Sequence, residues 1–257
     1  MQTYMKNLEN PNFSCTFALA DYTKTINFMW LLHSSIGRKL VMSITGIVLV
    51  LFLLFHLSMN VTAVFSADAY NMICSLLGAN WYAVVATLFL GVLVFLHIAY
   101  ATMLTLQNRK ARGNDRYAVN KRSKGVSWAS QNMFVLGLIV CGFILLHFWQ
   151  FWRRMMFAEL AGQHEVMLNG AMVSPQDGYA FICYYFSQLW VVVAYLIWYV
   201  ALWFHLTHGF WSAFQSIGWN NHIWLSRWKW IGNIVATLIL FGFVFVTITF
   251  YLRNLTN

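Results

Sequence analysis

The polar and apolar positions of this chain fall into long apolar runs separated by short polar connections. Five runs stand out: Leu40 to Val61, Trp81 to Leu106, Trp128 to Trp152, Phe186 to Trp211, and Trp228 to Tyr251; none contains Asp or Glu. A helix rises about 1.5 Å per residue, so each run is long enough to cross a hydrocarbon core of about 30 Å. The two prolines, Pro11 and Pro175, lie outside all five runs, so nothing in the runs removes a helical hydrogen bond. The pattern predicts an all-α integral membrane fold, a bundle of five transmembrane helices spanning residues 34–257, preceded by an arm over residues 1–33. The arm carries Lys6, Glu9, Asp21 and Lys24 with no long apolar core, unlike a cleaved signal peptide, and its stretch Ile26 to Leu32 is apolar enough to lie along the interface.

Composition agrees with lipid as the main solvent: 60% of residues are hydrophobic and 9% charged, and 13 Trp and 12 Tyr suit interfacial belts. The formal charge of +9 is a topology signal rather than a nucleic-acid footprint; membrane lipid is the expected partner and nucleic acid is not. With the N-terminus on the cytoplasmic side, 13 of the 16 Lys and Arg fall inside, and only Arg153, Arg154 and Arg253 fall outside. The C-terminus is then expected outside. The basic loop from Gln107 to Ser127 is either a topology anchor alone or also a docking face for a cytosolic subunit. Cys15, Cys74, Cys141 and Cys183 are scattered with no CxxC spacing, which argues against iron–sulfur clusters, structural zinc and covalently attached haem in this chain.

Histidines carry the candidate chemistry. The first four runs each contain at least one: His56, His97, His147, and His205 with His208. An ionisable side chain at membrane depth costs several kcal/mol unless it is paired or liganded, and one on each of four helices reads as a ligand set. From a rise of about 1.5 Å per residue, His56 and His147 lie about 24 Å and about 28 Å along outward-running spans, whereas His97 and His205 lie about 14 Å and about 9 Å from inner ends. Two pairs at two levels suit two bis-histidine haem b groups, each iron with both axial positions filled and none open to a gas. Zinc would want cysteine or carboxylate ligands at that depth, and a proton relay would want acids. Spacing alone leaves His205 and His208 as alternatives, because three residues apart they share nearly one helix face. Gly46, Gly91, Gly137, Gly142 and Gly209 recur in the runs, where a macrocycle or another helix approaches the backbone. His33, His164 and His222 read as surface residues. His164 and Glu165 gain a role only if a quinone is handled on the outer side.

The residues around these histidines resemble a known family, the cytochrome b membrane anchor of succinate:quinone oxidoreductases and quinol:fumarate reductases in its single-polypeptide, di-haem form. The resemblance runs from about Ser34 to Phe250. Its marks are Ser-Ser-Ile-Gly-Arg-Lys at Ser34 to Lys39, Phe-His-Leu-Ser-Met-Asn ending at Asn60, Leu-His-Ile-Ala-Tyr around His97, and Leu-His-Phe-Trp-Gln-Phe-Trp around His147. The most specific mark is Phe-His-Leu-Thr-His-Gly-Phe-Trp-Ser-Ala-Phe-Gln around His205. In that family the fourth-helix ligand lies four residues before a glycine that precedes a bulky and an aromatic residue; Gly209, Phe210 and Trp211 favour His205 by this pattern.

The resemblance implies an inner haem on His97 and His205 and an outer haem on His56 and His147, the two serving as an electron path across a bacterial cytoplasmic membrane. It implies two partners, a flavoprotein subunit holding the dicarboxylate active site and an iron–sulfur subunit. Menaquinone or menaquinol is the implied substrate of the anchor, which would be a non-flavin subunit of succinate dehydrogenase or fumarate reductase in a respiratory chain. Arg38, Ser43, Ser127 and Trp128 lie near helix ends suited to haem propionates. Some relatives carry a glutamate close before the fourth-helix ligand as part of a proton path. Here Ala201, Leu202, Trp203 and Phe204 fill that stretch, a departure from those relatives that leaves open whether this chain has such a path. The competing readings are a cytochrome b of another respiratory enzyme, of hydrogenase or formate dehydrogenase type, and a haem-free transporter.

Overall fold

The computed structural model describes residues 34–112, 128–219 and 221–256. The arm, most of the basic loop and Ser127 lie outside the described residues. Five long helices form: α1 (Ser35–Phe65), α3 (Trp81–Arg112), α4 (Trp128–His147, continued by a π-helical turn over Phe148–Trp152), α7 (Leu189–Ser216) and α8 (His222–Thr256). All five are long and apolar enough to cross a membrane. The chain is thus a multi-pass, all-α membrane protein. Between the long helices lie α2 (Ala67–Leu76), α5 (Met156–Leu160), a hairpin of β1 (Val166–Leu168) and β2 (Ala171–Val173), and α6 (Gly178–Phe186).

Local chemistry sets the breaks. Ser34 begins α1 by accepting a hydrogen bond from the Gly37 amide at 2.8 Å. Ser66 has an extended backbone at the end of α1, and its hydroxyl accepts from the Ala69 amide to start α2. The hairpin turns on Asn169 and Gly170, both with positive φ (51° and 83°), the backbone that a tight two-residue hairpin needs.

The apolar runs named the right five elements, with shifted ends. Several helices run past their apolar runs, since backbone hydrogen bonding continues where apolar composition stops: α1 starts at Ser35 rather than Leu40, α3 ends at Arg112, and α8 starts at His222, whereas α4 with its π-helical turn keeps the bounds of its run. Phe186 does not belong to the fourth span. It closes α6, and α7 begins at Leu189 after a break at Ser187 and Gln188.

Helix α7 is the spine of the bundle, packing on α8, α4 and α1, while α1 also packs on α3 and α8. Val50 and Leu57 of α1, Tyr195, Tyr199 and Leu202 of α7, and Ile239, Phe243, Val246 and Phe250 of α8 form the main core. Gly242 lets α8 approach α1: a Cβ there would sit 2.6 Å from Leu57 Cδ2. Two polar links tie α7 to α8, a buried one from Tyr199 to Thr247 at 2.9 Å and a half-buried one in which Trp203 Nε1 donates to Thr237 at 3.1 Å. The opposite surface is apolar and exposed, as on α3 with Leu88, Phe89, Val92 and Phe95; lipid is the medium in which such a face is stable.

One end of the bundle is basic, carrying Arg38, Lys39, Arg109, Lys110, Arg227 and Lys229. The other is capped by α2, α5, the hairpin and α6. Asn71 of α2 holds the start of α6, its amide donating to Asp177 Oδ1 at 2.8 Å and its oxygen accepting from the Tyr179 amide at 2.9 Å. Glu159 of α5 accepts from the Ala79 amide at 3.1 Å, and Arg253 of α8 donates to the Val64 carbonyl at 2.7 Å. Burial pushes the Cys74 thiol up to about 11, and it raises the Tyr70 phenol beside it, so both stay neutral in the cap.

Candidate functional site: two facing histidine pairs

The bundle brings the four histidines together in two pairs. His56 of α1 and His147 of α4 have ring centroids 5.8 Å apart with planes at 87°. His97 of α3 and His205 of α7 are 6.3 Å apart at 60°. These are the pairs that depth along the runs predicts. His208 points elsewhere, its ring 5.0 Å from Trp211, so His205 and not His208 faces His97.

Three helices measure the separation of the two levels. On α1, Thr45 touches His97 and His56 lies eleven residues on. On α7, Tyr195 touches His147 and His205 lies ten residues on. On α4, Gly137 faces His205 and His147 lies ten residues on. At about 1.5 Å per residue all three place the levels about 15–17 Å apart along the bundle. The His97–His205 level is nearer the basic end and the His56–His147 level nearer the cap.

What the pairs could hold follows from their donors. With about 2.0 Å for a metal–imidazole nitrogen bond and about 1.1 Å from that nitrogen to the ring centre, two rings on opposite sides of one metal have centroids about 6.2 Å apart. The observed 6.3 Å and 5.8 Å bracket that value. Among the described residues no group of three or more His, Cys, Asp or Glu side chains could share a metal ion. Two imidazoles suit a metal that brings its own equatorial ligands, as haem iron does. Glycine brings the backbone of a neighbouring helix close to two of the rings: a Cβ at Gly46 would lie 3.4 Å from His97 Cε1 and one at Gly137 would lie 3.6 Å from His205 Cε1. The Nδ1 of His205 is buried with no hydrogen-bond partner among the described residues. The residues present therefore fit a haem at each level.

Polar neighbours of the rings lie on the same helices. Thr45 Oγ1 is 3.1 Å from His97 Nδ1, and its hydroxyl sits 2.9 Å from the Val41 carbonyl and 3.0 Å from that of Met42. Tyr195 OH is 3.2 Å from His147 Nδ1 and donates to Gln150 Oε1 at 2.7 Å. Gln150 lies in the π-helical turn that directly follows His147, where the Arg153 amide reaches back five residues to the Phe148 carbonyl. His56 is approached at Nε2 by the Asn60 amide, at 3.4 Å. Sequence reasoning named none of Thr45, Gln150 and Tyr195. Gln150 carried a usable signal, an amide three residues after a histidine in a charge-free run; Thr45 and Tyr195 carried none.

Arg38 Nε donates to the Ser34 carbonyl at 3.3 Å, Ser43 is buried with its hydroxyl donating to the Lys39 carbonyl at 2.8 Å, and Trp128 is exposed against Phe204. Ser127 lies outside the described residues, as does His33. His164 and His222 are exposed, as expected of surface residues. Glu165 lines a polar groove of about 400 Å³ with Arg153, Arg154 and Gln163 on the capped end.

Comparison of the chain with known protein families, with curated proteins and with solved structures finds no match.

Proposed function

We propose that this chain is an integral membrane cytochrome b of the two-haem class. More particularly, we read it as the membrane-anchor subunit of a succinate:quinone oxidoreductase or quinol:fumarate reductase. The observation that supports the class is the geometry of the pairs: two sets of facing imidazoles, with centroids 5.8 Å and 6.3 Å apart, that would hold one haem each on two levels of one five-helix bundle. The particular assignment rests on the motif around His205 and on the basic end, which offers an iron–sulfur subunit a docking face.

When bound, each haem supplies a one-electron iron couple. The chain's own residues hold the imidazoles in facing positions, surround them with apolar side chains that exclude water, and keep the two levels at a fixed separation. In the whole complex succinate gives up two electrons and two protons as fumarate forms, and a membrane quinone takes up two electrons and two protons as quinol forms. The reverse reaction uses the same path. The flavoprotein subunit carries out the dicarboxylate chemistry, the iron–sulfur subunit delivers or collects electrons at the basic, cytoplasmic end, and menaquinone is the membrane reactant. The N-terminus is cytoplasmic and the C-terminus outside in this reading.

Purification of the complex from its native membrane tests both steps. The expected result is b-type absorbance on reduction with dithionite, two haems per chain, and co-elution of a flavin-containing and an iron–sulfur subunit. A chain without b-type absorbance removes the class. A di-haem chain that co-elutes with hydrogenase or formate dehydrogenase subunits removes the particular assignment.

A further inference from the structure

Each facing pair contains one histidine whose Nδ1 meets a hydroxyl: Thr45 at His97 and Tyr195 at His147. In both cases the hydroxyl proton has another destination. The Tyr195 proton goes to Gln150 Oε1 at 2.7 Å, the shortest contact of that oxygen. The Thr45 hydroxyl has the Val41 and Met42 carbonyls, which can only accept, within 3.0 Å. A hydroxyl that has given its proton away can only accept from a ring nitrogen, and a neutral imidazole has one N–H to give. We infer that Thr45 and Tyr195 are positioning residues that hold His97 and His147 as Nδ1–H tautomers, leaving each Nε2 lone pair free to bind a metal. The inference rests on the di-haem reading and adds residues that the resemblance does not supply.

Burial makes these contacts consequential. Thr45, Tyr195 and Gln150 are 3%, 2% and 2% exposed, so water does not replace a missing acceptor; the Met42 backbone, which also hydrogen-bonds His97, shares that role with Thr45. A metal-bound imidazole that donates its second N–H becomes a more basic ligand, which favours the oxidised metal; removing the acceptor raises the reduction potential. The arrangement is also one-sided. His205 Nδ1 has no partner among the described residues, and His56 is approached at Nε2 instead. The two levels therefore have separate controls on separate helices, Thr45 on α1 and Tyr195 on α7.

Potentiometric titration of the purified complex, with haem content measured in parallel, tests this on Tyr195→Phe, Thr45→Val and Thr45→Ser. Tyr195→Phe is expected to raise the potential of one b component and Thr45→Val that of the other. Each shift is expected to be about threefold or more in the reduction equilibrium, about 28 mV for a one-electron couple. Thr45→Ser, which restores the hydroxyl, should titrate like the parent. Should Tyr195→Phe not assemble, Gln150→Leu keeps the tyrosine and removes the acceptor of its proton; the component that Thr45→Val leaves alone must then move. Two haems with unmoved potentials, or both substitutions moving the same component, overturn the inference alone. A parent chain without b-type haem overturns the di-haem reading and this inference with it.

Discussion

Removing the imidazoles one and two at a time tests the pairing by its arithmetic. Within a pair the rings are 5.8 Å or 6.3 Å apart and would share one iron, whereas the levels are about 15–17 Å apart by helix rise. Effects of substitutions more than about 7–10 Å apart add, and those within one shared site do not. His97→Ala, His205→Ala and the double variant should therefore each contain one haem per chain, with the same spectral component missing. His56→Ala, His147→Ala and their double variant should lose the other component. A variant combining His97→Ala with His147→Ala should lose both. Haem content per chain and redox titration of the remaining component give the readout. Loss of the same component from His56→Ala and His97→Ala, or loss of both haems from a double variant within one pair, would refute the pairing.

Three further outcomes follow from the packing and the cap. Gly242→Ala puts a Cβ 2.6 Å from Leu57 Cδ2 in a buried contact, and overpacking of that kind costs about 1–3 kcal/mol; the variant should melt earlier in detergent. Asn71→Ala removes the side-chain acceptor of the Tyr179 amide and one of the two donors to Asp177 Oδ1, at about 1–3 kcal/mol, and should speed proteolysis at the capped end without altering the haem spectrum. Burial, the largest influence on Cys74, raises its thiol to about 11, so its alkylation should accelerate up to about pH 11 rather than level off near 9; because the folded state disfavours the thiolate, stability is unaffected below pH 9 and falls as pH rises from 9 to 11. Alkylation that levels off near pH 9 would show Cys74 to be exposed.

The spans were legible because lipid imposes one rule, that a crossing helix be apolar for about 20 residues, and Asp and Glu are missing from all five runs. Their ends were less legible, since Lys110 or Arg227 can continue a helix beyond the hydrocarbon. The pairing of His56 with His147 and His97 with His205 was legible for a related reason: depth is a count of residues, and facing helices must match in depth. The choice of His205 over His208 needed the glycine pattern, because rotation about α7 is not resolved by spacing. The cap escaped notice. Helices of five to ten residues lack the long periodic signal, although Asn169–Gly170 is the residue pair of a tight turn. The π-helical turn after His147 has no sequence signature, and with it went the place of Gln150 beside Tyr195. Most of the basic loop and the arm, where the expected docking face lies, belong to residues outside the description.

Both histidine levels are built on α7, where His205 and the hydroxyl that meets His147 are ten residues apart on one continuous helix. Their spacing is then a covalent constant rather than an outcome of packing. A thinner or thicker bilayer can tilt the bundle and move both levels relative to the membrane surfaces. It cannot stretch ten residues of hydrogen-bonded helix. Adaptation to a new membrane would leave the step between the levels unchanged, and only the distances from each level to the two surfaces would be retuned.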